Sequence, residues 1–175
     1  VCFSSPFDGT AVDLLESLDN PIYKVASFEI TDVPLIERMA STGKPIVIST
    51  GIASEVEIEE AVQACRNQGN DQITLLKCTS AYPAPLEDAN LLTMADMRSR
   101  YSVPTGLSDH TLGRTVAVAA VAMGAVMIEK HFILDRSHGG VDSAFSMEPS
   151  EFKEMVDEIR RTEAALGEID YSITP

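Results

Sequence analysis

Six short apolar runs, each closing on small or polar residues, recur along this chain with helix-like stretches between them. They are VCFSS (1–5), YKVASF (23–28), PIVIST (45–50), QITLLKCTS (72–80), VPTGLSD (103–109) and VMIEKHF (126–132). Runs this apolar predict strands covered on both faces, as in parallel sheets. The intervening segments carry helix signals. Ser54 followed by Glu57 is a capping-box start leading into Val56, Ile58, Ala61, Val62 and Cys65. Thr31 or Asp32 ahead of Pro34 opens another helix, containing Leu35, Ile36 and Met39. Gly43-Lys44-Pro45 and Gly69-Asn70-Asp71 stop these two helices. The alternation predicts a parallel sheet with helices outside it.

Two closures suit that pattern, a doubly wound open sheet and a (β/α)8 TIM barrel. No G-x-G-x-x-G follows the first run, which weakens a dinucleotide-binding sheet. Every run ends in reactive or hydrogen-bonding residues, whereas an open sheet concentrates such residues at one switch point. A barrel brings all strand C-termini to one mouth, so the barrel is the expected closure. Six units leave it two short. The chain starts at Val1, inside an apolar run and without an initiator Met, which suggests that sequence precedes it.

The 175 residues suit one domain with a sizeable core, and 45% hydrophobic with 23% charged residues is an ordinary globular balance. A formal net charge of −14 argues against nucleic acid or an anionic membrane as partner. A small anionic substrate stays open, because a local cluster of donors overrides the net field; most of the acidic surplus is expected on solvated helix faces. Cys2, Cys65 and Cys78 fit no zinc or disulfide spacing and predict reduced thiols, hence a cytoplasmic protein. The stretch from Val116 to Ile128 is too short to span a bilayer and reads as a buried helix entering a buried strand. No signal peptide is visible.

GLSDHT (106–111) contains Ser108, Asp109 and His110, but strand alternation sends Asp109 to the face opposite Ser108 and His110. The three therefore cannot form a catalytic relay. In IEKHF (128–132), Glu129 and His131 share one face and Lys130 takes the other. Neighbouring parallel strands would set His110 beside His131 at the mouth. Two imidazoles with a nearby carboxylate suit a divalent metal such as Mn²⁺, Zn²⁺ or Fe²⁺, and they equally suit two hydrogen-bonded histidines in a polar mouth.

Lys24 sits in a mostly apolar strand, where a lone lysine commonly snorkels from a strand end. The other strand ends supply Ser5, Ser27, Ser49 and Ser108, with Gly51 just after Ser49. Hydroxyls, backbone N–H groups and an ammonium converging there would cradle a phosphate. Strict alternation sets Lys24 and Ser27 on opposite faces, so one of them must lie past a bend or bulge. Tyr82-Pro83-Ala84-Pro85 is a stiff loop whose Tyr82 caps the rim or, with Ser80, grips a polar ligand. The glycine-rich segment SHGGVDS (137–143) is an exposed loop or an overhang that makes Asp142 a ligand-binding carboxylate.

Taken together, CFSSPF, YKVASFE, PIVISTGIA, LLKCTSAYP, GLSDHT and IEKHF, in this order and spacing, resemble the sialic acid synthase family over nearly the whole chain. CFSSPF, ASFE, LLKCTSAYP and DSAFSM (142–147) are most similar to its pseudaminic acid branch, as against the N-acetylneuraminate or legionaminic branches. The resemblance implies condensation of phosphoenolpyruvate with an open-chain acetamido-hexose to a nine-carbon 2-keto acid. His110 and His131 would hold a divalent metal (Mn²⁺, with Mg²⁺ or Co²⁺ as alternatives). Lys24, Ser5, Ser27, Ser49 and Ser108 would bind phosphoenolpyruvate, and Ser80, Tyr82 and Asp142 would face the sugar. Glu129 would polarise or handle protons beside the reacting carbons. Ser80 stands where some members have Asn. The resemblance further implies two missing N-terminal βα units with a glutamate and a lysine, a missing C-terminal antifreeze-like domain, and a homodimer when full length. Residues 1–175 would then be barrel strands three to eight and inactive alone. A non-catalytic sugar- or metal-binding barrel is the contrasting expectation.

Overall fold

The structure, a computed structural model, describes residues 1–173. Five strands make one sheet: β1 (Tyr23–Val25), β2 (Ile46–Ser49), β3 (Ile73–Cys78), β4 (Thr105–Asp109) and β5 (Ile128–Lys130). Their spatial order follows the sequence, β1-β2-β3-β4-β5, and all four pairings are parallel. An order that never reverses has no switch point, so the sheet is not doubly wound. Right-handed crossovers then put every connecting helix on the same side. The product is an α/β half-barrel with a helix-covered convex face and a concave face.

Among the described residues, six α-helices accompany it: α1 (Gly9–Ser17), α2 (Val33–Ala40), α3 (Glu55–Asn67), α4 (Leu92–Tyr101), α5 (Thr115–Ala122) and α6 (Pro149–Leu166). Their starts follow local chemistry. At α3 the capping box is made in both directions: Ser54 N donates to Glu57 Oε2 at 2.7 Å and Glu57 N donates to Ser54 Oγ at 3.4 Å. At α2 the carboxylate of Asp32 accepts from Leu35 N at 3.1 Å, and Pro34 occupies the first turn, where its missing N–H costs nothing.

Alternation along the strands divides the residues between the two faces. Tyr23, Val25, Ile46, Ile48, Ile73 and Leu75 point outward and pack with the apolar sides of α2 and α3 in the main core. Leu107 does the same beneath α4 and α5, with Met94, Val116 and Ala120. Gly106 has no room for a side chain, because a Cβ there would run into the carbonyl oxygen of Met127 and lie 2.8 Å from Leu76 Cδ2. That close approach lets β4 and β5 pair.

Two expectations need correcting. The run at 1–5 is not a sixth strand: Ser4 makes an isolated bridge to Tyr23, with Lys24 N donating to Ser4 O at 3.3 Å. It lies at the sheet edge against a three-residue strand, its first four residues are exposed, and Pro6 brings no N–H to extend a ladder. The β5 strand is half-buried at all three positions rather than buried, since among the described residues β4 is its only strand partner. The stretch from Val116 to Ile128 does run from a helix into a strand. Among the described residues, no helix is long and apolar enough to cross a membrane. The three cysteines are free thiols, Cys2 exposed and Cys65 and Cys78 buried.

Candidate active site

The concave parity brings Lys24, Ser49, Cys78, Ser108 and Glu129 to the C-terminal ends of consecutive strands, with His110 and His131 one step beyond β4 and β5. Register pairs Ser108 directly with Glu129 and Cys78 with Ser108. Ser108 Oγ donates to Glu129 Oε1 at 2.6 Å, and the other carboxylate oxygen lies 3.6 Å from Lys24 Nζ. Lys24 is only 7% exposed, and its ammonium also donates to Val25 O at 3.1 Å. Burial holds its pKa below the ordinary lysine value, opposed by the charge of Glu129. A cavity of ≈ 170 Å³ opens here, lined by Ser108, His110, Glu129, Lys130 and His131.

The bend between Lys24 and Ser27 falls after Val25, where a short 3₁₀ turn (Ser27–Glu29) begins. It turns Ser27 toward the neighbouring strand end, where Ser27 Oγ accepts from Gly51 N at 3.1 Å and lies 3.5 Å from Cys78 Sγ. Gly51 closes against the same cluster: a Cβ there would clash with Ser80 Oγ and lie 2.8 Å from Cys78 Sγ and 2.9 Å from Ser27 Oγ. Ser49 Oγ is buried without a hydrogen-bond partner. An orphaned buried hydroxyl is costly, and a bound oxyanion would satisfy it. Ser5 follows the bridging residue Ser4 and is half-buried at the sheet edge.

His110 and His131 are neighbours, their ring centroids 5.2 Å apart. His110 Nδ1 is 2.9 Å from Thr79 O, which takes the Nδ1 hydrogen and leaves Nε2 as the lone-pair nitrogen. Burial alone would lower its pKa; the Cys78 sulfur at 3.8 Å and the Thr79 carbonyl outweigh that and raise it. Burial and the nearby His110 hold the His131 pKa below the usual histidine value. His131 Nδ1 lies 3.7 Å from Asp142 Oδ2. The thiol of Cys78 is lowered: burial would raise it, but His110 and Ser27 outweigh burial.

Among the described residues, no group of three or more His, Cys, Asp or Glu side chains is arranged as a metal site. The pair itself fits two ligands of a divalent ion, because Thr79 O fixes the His110 tautomer and Asp142 stands behind His131. Tyr82 completes the rim, its ring 4.4 Å from His110 and 5.9 Å from His131. Ser80 is half-buried, its Oγ 4.0 Å from Cys78 Sγ.

Three site residues escape sequence reasoning. Glu29, in the same 3₁₀ turn as Ser27, has a buried Oε2 without a partner. Set between Phe28 and Ile30 in a short irregular turn, it carries no periodic signal. Cys78 reads as one more apolar residue of its strand. Phe145 stacks 5.0 Å from His131 and 5.6 Å from Tyr82, closing an aromatic wall; it lies in the irregular segment before α6, where no spacing rule applies.

Strand ends that collect an ammonium, hydroxyls, a carboxylate and an imidazole pair on one concave face define a (β/α)-barrel-type domain with a polar site at its strand C-termini. The chain belongs to the NeuB family, whose model matches residues 1–171. It is 53% identical over 99% of its length to a pseudaminic acid synthase of Helicobacter pylori, of which it covers 51%. It is 44% identical over 94% of its length to an N,N'-diacetyllegionaminic acid synthase of Campylobacter jejuni, of which it covers 50%. A solved N-acetylneuraminic acid synthetase of Leptospira borgpetersenii, in complex with citrate, superposes with TM-score 0.92 at 37% identity. That match covers 98% of this chain and 60% of the other. The chain thus spans about half the length of the curated relatives it matches.

Proposed function

We propose that this chain carries most of the reaction centre of a synthase that condenses phosphoenolpyruvate with an acetamido-hexose to a nine-carbon 2-keto acid, most specifically a pseudaminic acid synthase. One observation carries the reading: Lys24, Ser49, Ser108, Glu129, His110 and His131 share the concave face at the strand C-termini. Two anionic groups and an aldehyde need those donors together.

Lys24, Ser27, Ser49, Ser108 and Ser5 bind the phosphate and carboxylate of phosphoenolpyruvate, the buried ammonium supplying the charge. Ser80, Tyr82 and Asp142 orient the sugar, whose aldehyde lies toward His110 and His131. The C2=C3 electrons of the enol form a carbon–carbon bond to the aldehyde carbon, and the aldehyde oxygen takes up a proton. Water adds to C2 and releases a proton. Collapse of the C2 hydroxyl to a carbonyl then breaks the C–O bond and expels inorganic phosphate. Glu129, held by Ser108 and Lys24, is placed to move protons at the aldehyde oxygen or the attacking water. A divalent cation, Mn²⁺ or else Mg²⁺ or Co²⁺, held by His110 and His131 would polarise the aldehyde oxygen.

On this reading the five strands are the last five of a (β/α)8 barrel, the segment at 1–5 lies at the position of the strand before them, and two further βα units complete the barrel in the full-length protein. An antifreeze-like domain follows in the same cytoplasmic homodimer. The test is phosphate release by the complete protein from phosphoenolpyruvate with each candidate acetamido-hexose, read with mass analysis of the product. Release only with the pseudaminic acid precursor supports the full reading. Preference for the legionaminic or N-acetylneuraminate precursor moves it to that branch. No sugar-dependent release with any precursor sinks it in favour of a binding barrel.

A further inference from the structure

On the convex side of the strand ends, directly behind the imidazole pair, lies a second polar group that the chemistry above does not use. Asp109 and Lys130 are paired in register across β4 and β5. Their side chains are 1% and 2% exposed, and Lys130 Nζ donates to Asp109 Oδ2 at 2.7 Å. The same ammonium donates to Thr111 O at 2.6 Å. Asp109 Oδ1 accepts from Thr111 N at 2.9 Å and Thr111 Oγ1 at 2.7 Å.

Each member of this network adjoins a histidine in the chain. His110 is the middle residue of the Asp109–Thr111 turn, so the carboxylate fixes the backbone on both sides of it. Lys130 immediately precedes His131. A buried ion pair is a poor source of net stability, since two apolar residues of similar volume do as well. Its specific effect is geometric: one ammonium ties the end of β5 to the turn that carries His110. Residues on adjacent strand ends otherwise drift relative to one another, and a two-imidazole site tolerates little drift.

We propose that Asp109, Lys130 and Thr111 form a buried clamp that sets the spacing and orientation of His110 and His131, making them positioning residues for the pair. The proposal rests on reading the two histidines as a working pair. It predicts that loosening the clamp disturbs the imidazoles while the half-barrel persists.

The test uses the complete protein, its Asp109→Asn/Lys130→Met double variant, which leaves no lone buried charge, and the milder Thr111→Val. The first readout needs neither catalysis nor metal: the ring-proton Overhauser cross-peak between His110 and His131 in the metal-free protein. It should weaken in Thr111→Val and be lost in the double variant. Co²⁺ titration should show affinity falling about tenfold or more in the double variant, the range for residues that orient ligands from behind. The KM for phosphoenolpyruvate should stay near wild type while kcat falls. An unchanged cross-peak in both variants overturns the clamp. If the double variant fails to fold, the cross-peak in Thr111→Val decides alone, weakened for the clamp and unchanged against it. A wild-type protein that binds no Co²⁺, yet whose cross-peak is lost in the double variant, retains the clamp and removes the metal reading instead.

Discussion

Ser108 and Glu129 face each other across β4 and β5 and share a 2.6 Å hydrogen bond, and that contact leaves the second oxygen of Glu129 turned toward Lys24 at 3.6 Å. One carboxylate therefore joins the buried lysine to the strand end next to the imidazoles. Glu129→Gln keeps an acceptor for Ser108 but removes the charge. In the complete protein, kcat should fall by about 10²–10⁴, the range for loss of a proton-handling group, and the denaturation midpoint should fall as well, because buried Lys24 loses its counter-charge. A loss below about threefold would show Glu129 to be a spectator.

Lys24 gives a pH signature. Its folded-state pKa lies below the ordinary 10.5, first because of burial, against the pull of Glu129. Below the folded pKa, both states carry the proton and the cost of burying the cation is borne in full. Between that pKa and 10.5 the unfolded chain binds more protons, so stability rises with pH. Lys24→Met should therefore stabilise the protein near neutrality, with the advantage shrinking as pH rises toward 10.5. Urea denaturation at pH 7, 8.5 and 10 checks the trend; an advantage that grows with pH would contradict it.

Gly51→Ala should act on the ligand more than on the fold. The added methyl enters the space between Ser27, Cys78 and Ser80. Phosphoenolpyruvate handling should fall by on the order of 10²-fold in kcat/KM, as expected for misplaced binding groups. Calorimetric titration of phosphoenolpyruvate into the variant would show this directly.

Asp109→Ala strands Lys130 as an uncompensated buried cation. The expected loss is about 3–5 kcal/mol in chemical denaturation. The exposed Lys153–Asp157 pair is the control, and its Lys153→Ala variant should cost less than about 1 kcal/mol. Equal losses at the two sites would refute the assignment of burial as the cause.

Cysteine reactivity should separate by environment. Burial pushes the Cys65 thiol up to about 12, so the native protein at pH 8 should resist alkylation there while exposed Cys2 reacts. A raised thiol pKa also means that the stability Cys65 contributes is present below pH 9 and is lost as pH climbs toward 12. Peptide mass mapping after iodoacetamide treatment reads the labelling.

Strand parity was the most legible part of the site. It separated Ser108 and His110 from Asp109, and Glu129 and His131 from Lys130, and the two sets lie on opposite faces as alternation requires. Parity also demanded a bend between Lys24 and Ser27, and the 3₁₀ turn supplies it. What alternation could not reach were groups outside regular elements. Glu29 and Phe145 acquire their surroundings from tertiary packing, and no local spacing encodes that. The run at 1–5 had the composition of a strand, but pairing is decided by neighbours, and it has a single short one. The convex clamp was half visible: Lys130 and Asp109 were known to leave the concave face, and only register showed that they meet.

The carbonyls of the two histidines anchor the rim segments: Ala84 N donates to His110 O and Met147 N donates to His131 O, each at 2.9 Å. Tyr82 and Phe145 thus ride on loops pinned to the imidazole pair, whereas Lys24, Ser49 and Ser108 ride on the strands. On the proposed function, substitution in the loops would retune which sugar is accepted while leaving the strand-borne groups in place. Such a division would let one inherited reaction diversify its products by exchanging two short segments.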